Sequence, residues 1–563
     1  MMQFYSLFAI LGLFLPILVT AYLDYLFLLS NKILLVGFSL ETLVGASILY
    51  YLKDYEVANL KKIYLGYGLF FLGIGFSYIV GKSYWLCFFW ELTTLGTILI
   101  NSGNGFTEKT ARSLVSFILA SGVSMLFLGV WVFLPVSIQG TYFLLIGLLL
   151  KTAFLGFHIW YPIAYSSVNA HSASAYSGAL VPLSFLLAIK WILPVLPQIS
   201  ILNFLLPLAG LGVFVAALSS FFNKNILESL AYSTIENMNL LWVCIFAYGI
   251  SYSQNQQIAN SFQIVFYLIL IHHSISKSFQ FLSLGYLSKI GKTTNIDELK
   301  GVGRISKIPS EVLGFGTFSF VLVPGTIGFL AEVSFLFLSS KFIEILGFHS
   351  TTYMLVLFFV ISGFAIATAA HLRNYLTIVL SIPSESLKKV VISSHESVYR
   401  IKFTLQFIGS IIFFLPIIFL FFYPNFFDFS VPEFLVTFYS KIKYLSIPLI
   451  ILYFSLFLFR WFHKIEKRKA WDCGNSYSGS ELSIPSSIVS DPLYDSVGRY
   501  LLDIDGKVRF EKKVEKTLVG FLNFGNKITS LVESETLSHY ILFSSISFLF
   551  TIALIISLRI FVS

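Results

Sequence analysis

The chain has 563 residues, 57% of them hydrophobic and only 12% charged, with a net charge of +9 and a mean hydropathy of +0.84. That balance lies outside the soluble globular range and excludes a water-soluble enzyme or a nucleic-acid-binding module. Lys and Arg gather at the ends of apolar runs, as in LKDYEVANLKK and FTEKTAR, where they act as orientation signals.

Apolar windows of the length needed to span a bilayer recur along nearly the whole chain, predicting an all-α polytopic membrane protein with about 14 to 16 helices. The first, MMQFYSLFAILGLFLPILVT, lacks a basic n-region and a small-residue cleavage site, and reads as a spanning helix rather than a signal peptide. Windows with short polar connections continue to about residue 461. A long polar segment, 462–536, and one last apolar run, 537–563, close the chain. That segment has too few apolar residues for a core of its own, so it reads as peripheral, with a C-terminal anchor helix behind it. Cys87, Cys244 and Cys473 are far apart, and the chain has no phosphate loop, dinucleotide fingerprint or nucleophile elbow. Nothing in it binds a nickel, iron-sulfur or flavin centre, so no cofactor and no catalysis are expected of the chain alone.

Six polar positions interrupt the apolar windows. Glu91 stands in LCFFWELTTLGTILI, where a desolvated carboxylate exchanges protons near neutral pH. Lys151 follows in LLLKTAFLGFHIWYP, with His158 seven residues on, two turns along the same face if the stretch is one helix. Placing an ionised lysine in a bilayer costs roughly 2.5 to 3.5 kcal/mol on insertion scales, which makes a polar interior with a function the default. AHSASAYSGALVPLSFLLAIK carries His171 among small residues and Lys190 at its far end; LILIHHSISKSFQFL puts His273 and Lys277 on one face, with His272 about 100° away. VLVPGTIGFLAEVSFL is a helix broken at Pro324 and Gly325 with Glu332 beyond, and AIATAAHLRNYL holds His371 and Arg373. Each has a plainer reading: Glu91 in a structural ion pair, His158 at an interface, Lys190 snorkelling, His272 as packing, and Arg373 as a fixed charge that cannot deprotonate. Lysines, carboxylates and histidines recurring in separate helices beside Pro and Gly breaks form the pattern of an ion pathway.

These segments, in this order, resemble the antiporter-like subunits shared by respiratory complex I, energy-converting hydrogenases and multi-subunit cation/proton antiporters. FWELTTLG is similar to that family's Trp-Glu-Leu motif, KTAFLGFHIWYPIAY to its lysine helix, and ILESLAYSTIENMNLL to its Leu-Ala-Tyr-Ser-Ser-Ile-Glu-Asn segment. HHSISKSFQFL resembles its His-Lys helix, and VPGTIGFLAE its broken helix. His171 with Ser177-Gly178, and AWDCGN followed by SSIVSDPL, are nearest to component B of formate hydrogenlyase and group 4 nickel-iron hydrogenase complexes.

The resemblance implies two inverted five-helix repeats with broken helices. The expected divisions are 1–110 (N-terminal helices including the Glu91 helix), 111–225 (first repeat, continuing from about 84), 226–400 (second repeat) and 401–461 (additional helices). It also implies a subunit of a redox-driven complex in the cell membrane that moves H+ or Na+ through Glu91, Lys151, His158, His171, His273, Lys277, Glu332 and Arg373. Its partners would be other membrane subunits, antiporter-like and quinone-type or anchor, and a peripheral redox module carrying the metal centres. Several positions depart from the family pattern: Gly156 replaces a proline, Pro182 follows where a lysine is usual, Ile269 stands for a histidine, Leu227 for the lysine before Leu-Ala-Tyr, and Arg373 for the terminal lysine. A second reading makes the chain an anchor for the redox module in which transport is reduced or lost.

Overall fold

The structure is a computed structural model. It describes residues 2–462 except for short stretches, the longest being 24–30, 347–350, 388–397 and 423–430. The polar segment 462–536, apart from its first residue, and the expected anchor helix therefore lie outside the described residues, together with the AWDCGN motif.

Among the described residues the fold is helical throughout, joined at one point by an isolated bridge between Asn225 and Asn295. The helices are α1 (Met2–Leu23), α2 (Lys32–Tyr51), α3 (Leu60–Ile79), α4 (Tyr84–Ser102), α5 (Glu108–Phe133), α6 (Ile138–Lys151) and α7 (Trp160–Tyr165). They continue with α8 (Ala170–Ala175), α9 (Val181–Trp191), α10 (Leu202–Phe222), α11 (Ile226–Tyr252), α12 (Gln256–Gly291) and α13 (Val302–Ile305). The last are α14 (Ser310–Phe320), α15 (Ile327–Leu346), α16 (Thr351–Tyr375), α17 (Tyr399–Phe422) and α18 (Glu433–Phe462). A π-helical turn, Tyr176–Leu180, joins α8 to α9, and another, Leu376–Leu380, extends α16. Nine described helices are long and apolar enough to cross a membrane. The expected larger number includes helices split by breaks, such as the 14-residue α6, and windows outside the described residues.

Helix α12 is the spine. Its 36 residues make a rod of roughly 54 Å at 1.5 Å per residue, packed against α2, α8, α11, α14, α15 and α17. Because it is surrounded by protein, polar side chains on it need not meet lipid. Helices α1 and α16 instead turn apolar residues such as Phe4, Leu18, Phe358 and Ile361 outward, as a lipid-facing or subunit-facing wall requires.

Small residues set the closest approaches. At the α3–α4 seam a Cβ on Gly96 would come within 2.6 Å of the Phe70 backbone nitrogen and 2.7 Å of the Gly66 carbonyl oxygen, so the two backbones touch with no side chain between them. Gly129 on α5 has nothing within 4 Å of the same position. Gly96→Ala is therefore expected to destabilise the protein by about 1–3 kcal/mol through overpacking, read as a lower melting temperature in detergent, while Gly129→Ala leaves melting unchanged.

Candidate functional site

Lys151 is the last residue of α6, where the helix dipole favours a cation. The chain then leaves the helix. Ala153 (φ 49°) and Gly156 (φ 94°) are left-handed, and Trp242 Nε1 donates to Thr152 Oγ1 at 2.8 Å while Leu155 N donates to Asn239 Oδ1 at 3.2 Å. Helix α11 thus pins the break open. The one-helix reading of this stretch, with Lys151 and His158 on a shared face, is corrected: His158 sits in the irregular turn before α7, buried, with Gly156 N donating to its Nδ1 at 3.3 Å. The left-handed residues destroy the 3.6-residue period on which that reading rested.

The Lys151 ammonium donates to Ser121 Oγ of α5 at 2.7 Å, and Ser121 shares a 2.7 Å hydrogen bond with Thr94 Oγ1 of α4. It also lies 4.5 Å from the centre of the Phe117 ring and 5.4 Å from that of Trp90, close enough for cation–π attraction. Glu91 is one turn before Thr94 on α4 and is the charged neighbour of Lys151. Its Oε1 is buried without a hydrogen-bond partner among the described residues. The ammonium is therefore held by hydroxyls, with the carboxylate in electrostatic range rather than in contact.

From Lys151 a small cavity opens, lined by Tyr161, Tyr165, Tyr176 and Ser184. Tyr161 OH donates to Tyr165 OH at 2.6 Å and also interacts with the Ser177 and Thr234 hydroxyls. Ser177 Oγ is 3.3 Å from Thr234 Oγ1 and 3.5 Å from His273 Nε2. A row of hydroxyls thus runs from the first lysine to the next polar cluster.

That cluster surrounds Lys277, which is fully buried halfway along α12. Its ammonium donates to Ser233 Oγ at 2.7 Å and to Gln280 Oε1 at 3.1 Å. Ser233 Oγ also lies 2.9 Å from His371 Nε2 and 3.3 Å from Glu236 Oε2, and Gln280 Nε2 lies 3.0 Å from His371 Nδ1. The direction of each bond follows from the donor inventory. Ammonium only donates, so Gln280 presents its oxygen to Lys277 and its amide N–H to His371 Nδ1. A neutral His371 then carries its proton on Nε2 and donates it to Ser233. Ser233, accepting twice, has one proton to give, and the remaining acceptor is Glu236. Phe320 closes the cluster: the ammonium lies 4.2 Å from its centroid and His371 stacks on it at 4.6 Å.

The structure brings Lys277 together with His371, with His273 one turn earlier on α12, and Glu332 has Glu236 as its electrostatic neighbour. The predicted break in VLVPGTIGFLAE falls between α14 and α15, with Leu322 (φ 56°) and Gly325 (φ 94°) left-handed and Gly328 N donating to Ser319 Oγ at 3.2 Å. His272 is bonded to Ser276 and Ser319 at 3.2 Å each, and its ring packs against Phe320 with centroids 4.6 Å apart.

Two residues stand apart from the row. His171 Nδ1 is paired with Tyr67 OH at 2.8 Å, towards the N-terminal helices. Arg373 donates to the backbone carbonyls of Phe221 and Asn223 and to Asn374 Oδ1. It caps the C-terminal end of α10. Lys190 donates to the carbonyls of Tyr78 and Val80 at 2.9 and 3.1 Å, as its snorkelling reading requires.

Sequence reasoning passed over Ser121, Ser233, Gln280 and Glu236 as site residues. Glu236 and Gln280 had a legible signal: each lies three residues from a partner, Ser233 and Lys277, on one helical face. Ser121 had none, because nothing in its own helix marks it.

A polytopic bundle of apolar helices, two of them broken, with buried lysines on a row of hydroxyls, defines a membrane protein built around a charge-bearing interior. Residues 83–364 match the model of the NADH:quinone oxidoreductase/Mrp antiporter transmembrane family, and the chain belongs to that family. It is 25% identical over 354 residues to a putative antiporter subunit of Staphylococcus haemolyticus, covering 56% of this chain and 43% of that protein. It is 32% identical over 209 residues to a hydrogenase-4 component F homolog of Methylacidiphilum infernorum, covering 36% of this chain and 41% of that protein. The chain thus aligns with less than half the length of these relatives. Its fold is similar to a chain of the Mrp complex from Dietzia (TM-score 0.56, 13% identity, 72% of this chain and 85% of that one). It is also similar to a chain of an archaeal membrane-bound sulfane sulfur reductase (TM-score 0.53, 19% identity, 73% and 82%).

Ser233→Ala removes the acceptor that Lys277 and His371 share, and is expected to cost about 1–3 kcal/mol of stability by leaving buried donors unsatisfied. Combined with His371→Ala it should be non-additive by about 0.5–3 kcal/mol, measured as a double-mutant cycle on melting in detergent.

Proposed function

We propose that this chain is the proton- or sodium/proton-translocating antiporter-like subunit of a multi-subunit, redox-driven complex of the hydrogenase or NADH dehydrogenase type in the cell membrane. It is not an enzyme by itself. The observation that supports this most directly is the pair of buried lysines, Lys151 and Lys277, each donating at 2.7 Å to a serine of a neighbouring helix and joined by the Tyr161, Ser177, Thr234 and His273 row. A hydroxyl both accepts and donates, so such a row can pass a proton that a carbonyl can only hold.

In this reading Glu91 biases Lys151: when the two are close the ammonium keeps its proton, and when charge moves at a partner subunit the proton leaves through the cavity towards Tyr161. His273 and Thr234 hand it on to the Lys277 cluster, where Ser233 delivers it to Glu236, with Glu332 beyond. His158, beside the break, lines the approach. His171, paired with Tyr67, and Arg373, bonded to a helix end, which the resemblance placed in the pathway, lie off the row between Lys151 and Lys277. The metal centres and quinone-type chemistry belong to partner subunits and a peripheral redox module.

One observation favours the anchor reading. Arg373, at the place of the terminal lysine, spends its donors on α10 and Asn374, so the exit from the Lys277 cluster would run through His371 or Glu332 or be closed. The deciding experiment measures redox-driven proton or sodium uptake in vesicles holding the intact complex, comparing the native chain with Lys151→Ala, Lys277→Ala and Glu91→Gln. Loss of uptake with assembly preserved is the expected outcome, and Tyr161→Phe should slow uptake without abolishing redox turnover. Ion movement per turnover unchanged in all four variants would leave only the anchor.

A further inference from the structure

The N-terminal helices contain a buried carboxyl group that the lysine row does not use and that precedes the family match at residue 83. Glu41 lies halfway along α2, is 1% exposed, and has no hydrogen-bond partner at either oxygen among the described residues. It forms one stripe with Gly37 and Gly45, four residues to either side. The stripe is a close-packed seam. A Cβ on Gly37 would come 2.8 Å from Tyr78 Cζ, and one on Gly45 would come 2.7 Å from Leu13 Cδ1 and 2.9 Å from Phe71 Cζ. From the opposite side, a Cβ on Gly75 of α3 would meet Pro16 Cγ of α1 at 2.5 Å and Glu41 Oε2 at 3.4 Å.

The carboxyl therefore sits where α1, α2 and α3 are drawn together. At its level α1 presents Pro16 and α3 presents Gly75 and Tyr78. Tyr78 is the titratable group that faces it, and the Tyr78 hydroxyl is likewise buried and unpartnered among the described residues. No charged side chain reaches it from these helices. An ionised carboxylate in such a seam has no counter-charge and no hydrogen-bond donor from these helices, with the Tyr78 phenol near but not bonded to it, whereas the acid form carries no charge to desolvate.

We infer that Glu41 is a proton-binding site separate from the lysine row: a neutral carboxylic acid in the three-helix seam, whose proton leaves only when the helices part. The seam thereby couples protonation to helix approach. The inference does not rest on ion transport through Lys151 and Lys277.

The same state is a chemical handle. A membrane-soluble carbodiimide adds to a protonated carboxyl: the acid proton goes to a carbodiimide nitrogen, the carboxyl oxygen bonds the central carbon, and the O-acylisourea rearranges in dry surroundings to an N-acylurea. No atom is lost, so the peptide gains the whole mass of the reagent. The experiment treats the full chain in its native membranes with dicyclohexylcarbodiimide across a pH series, maps adducts by peptide mass, and records infrared difference spectra of native protein and Glu41→Gln. The expected result is an adduct on Glu41 that fades as pH rises, none on the exposed Glu344 paired with Lys341 at 2.8 Å, and loss of a protonated-carboxyl band in Glu41→Gln. Identical carboxyl bands in the two proteins would overturn the inference, whatever happens to uptake. Should Glu41→Gln fail to assemble, Glu41→Asp, which keeps the acid in the seam, is expected to shift the band; an unshifted band would overturn it equally.

Discussion

The structure depends on how a positive charge is kept inside a helical bundle without a carboxylate in contact. Both interior lysines are held by a serine hydroxyl on a neighbouring helix and by an aromatic face, Ser121 with Phe117 and Ser233 with Phe320. The acidic partners, Glu91 and Glu236, stand one group further away. A direct ion pair in so dry a place would be deep and hard to separate. At Lys277 the Ser233 hydroxyl stands between the two charges, accepting from the ammonium and donating to Glu236, which weakens the attraction.

The helix breaks serve the same constraint. Ending α6 at Lys151 lets the chain leave the helix where the side chains of α11 can satisfy it, through Trp242 to Thr152 and Asn239 to Leu155. Irregular backbone at membrane depth survives only where it is buried in protein. The second break repeats the solution, with Ser319 accepting from Gly328 and from Ser276. Packing follows from this too: α12 carries Lys277 and is largely enclosed by protein, whereas α16 carries Arg373 at its end and leaves much of its length to the outside.

Much of this was legible in the sequence, and the limits have physical causes. Membrane class and the α14–α15 break followed from apolar run length and Pro324-Gly325, and Lys277 stood out through the scarcity of charge; that His371 shares its site was not legible, because the two residues lie on separate helices and meet only through Ser233 and Gln280. His158 was misplaced because a period argument assumes one helix, and a left-handed Ala153 gives no warning in its identity. Ser121 was invisible because its role exists only across helices: any of the many serines in apolar windows reads the same until α5 is laid against α6. Glu41 was missed because GFSLETLVG looks like an ordinary amphipathic stretch, and only Gly75 facing it from α3, with the close packing at Gly37 and Gly45, shows that its carboxyl has nowhere to go.

The cations of the interior divide by what receives them. Arg373 and Lys190 end on backbone carbonyls, at Phe221 and Asn223 and at Tyr78 and Val80. A carbonyl accepts and has no proton to pass on, so these charges cap helix ends and stay put. Lys151 and Lys277 end on hydroxyls, which accept from the ammonium and keep a proton of their own: Ser121 shares a hydrogen bond with Thr94, and Ser233 donates to Glu236. Residue type alone does not separate the two kinds, since Lys190 and Lys151 are the same amino acid in similar apolar company. The acceptor does: the hydroxyl partners of Lys151 and Lys277 can themselves donate, and the carbonyl partners of Lys190 and Arg373 cannot.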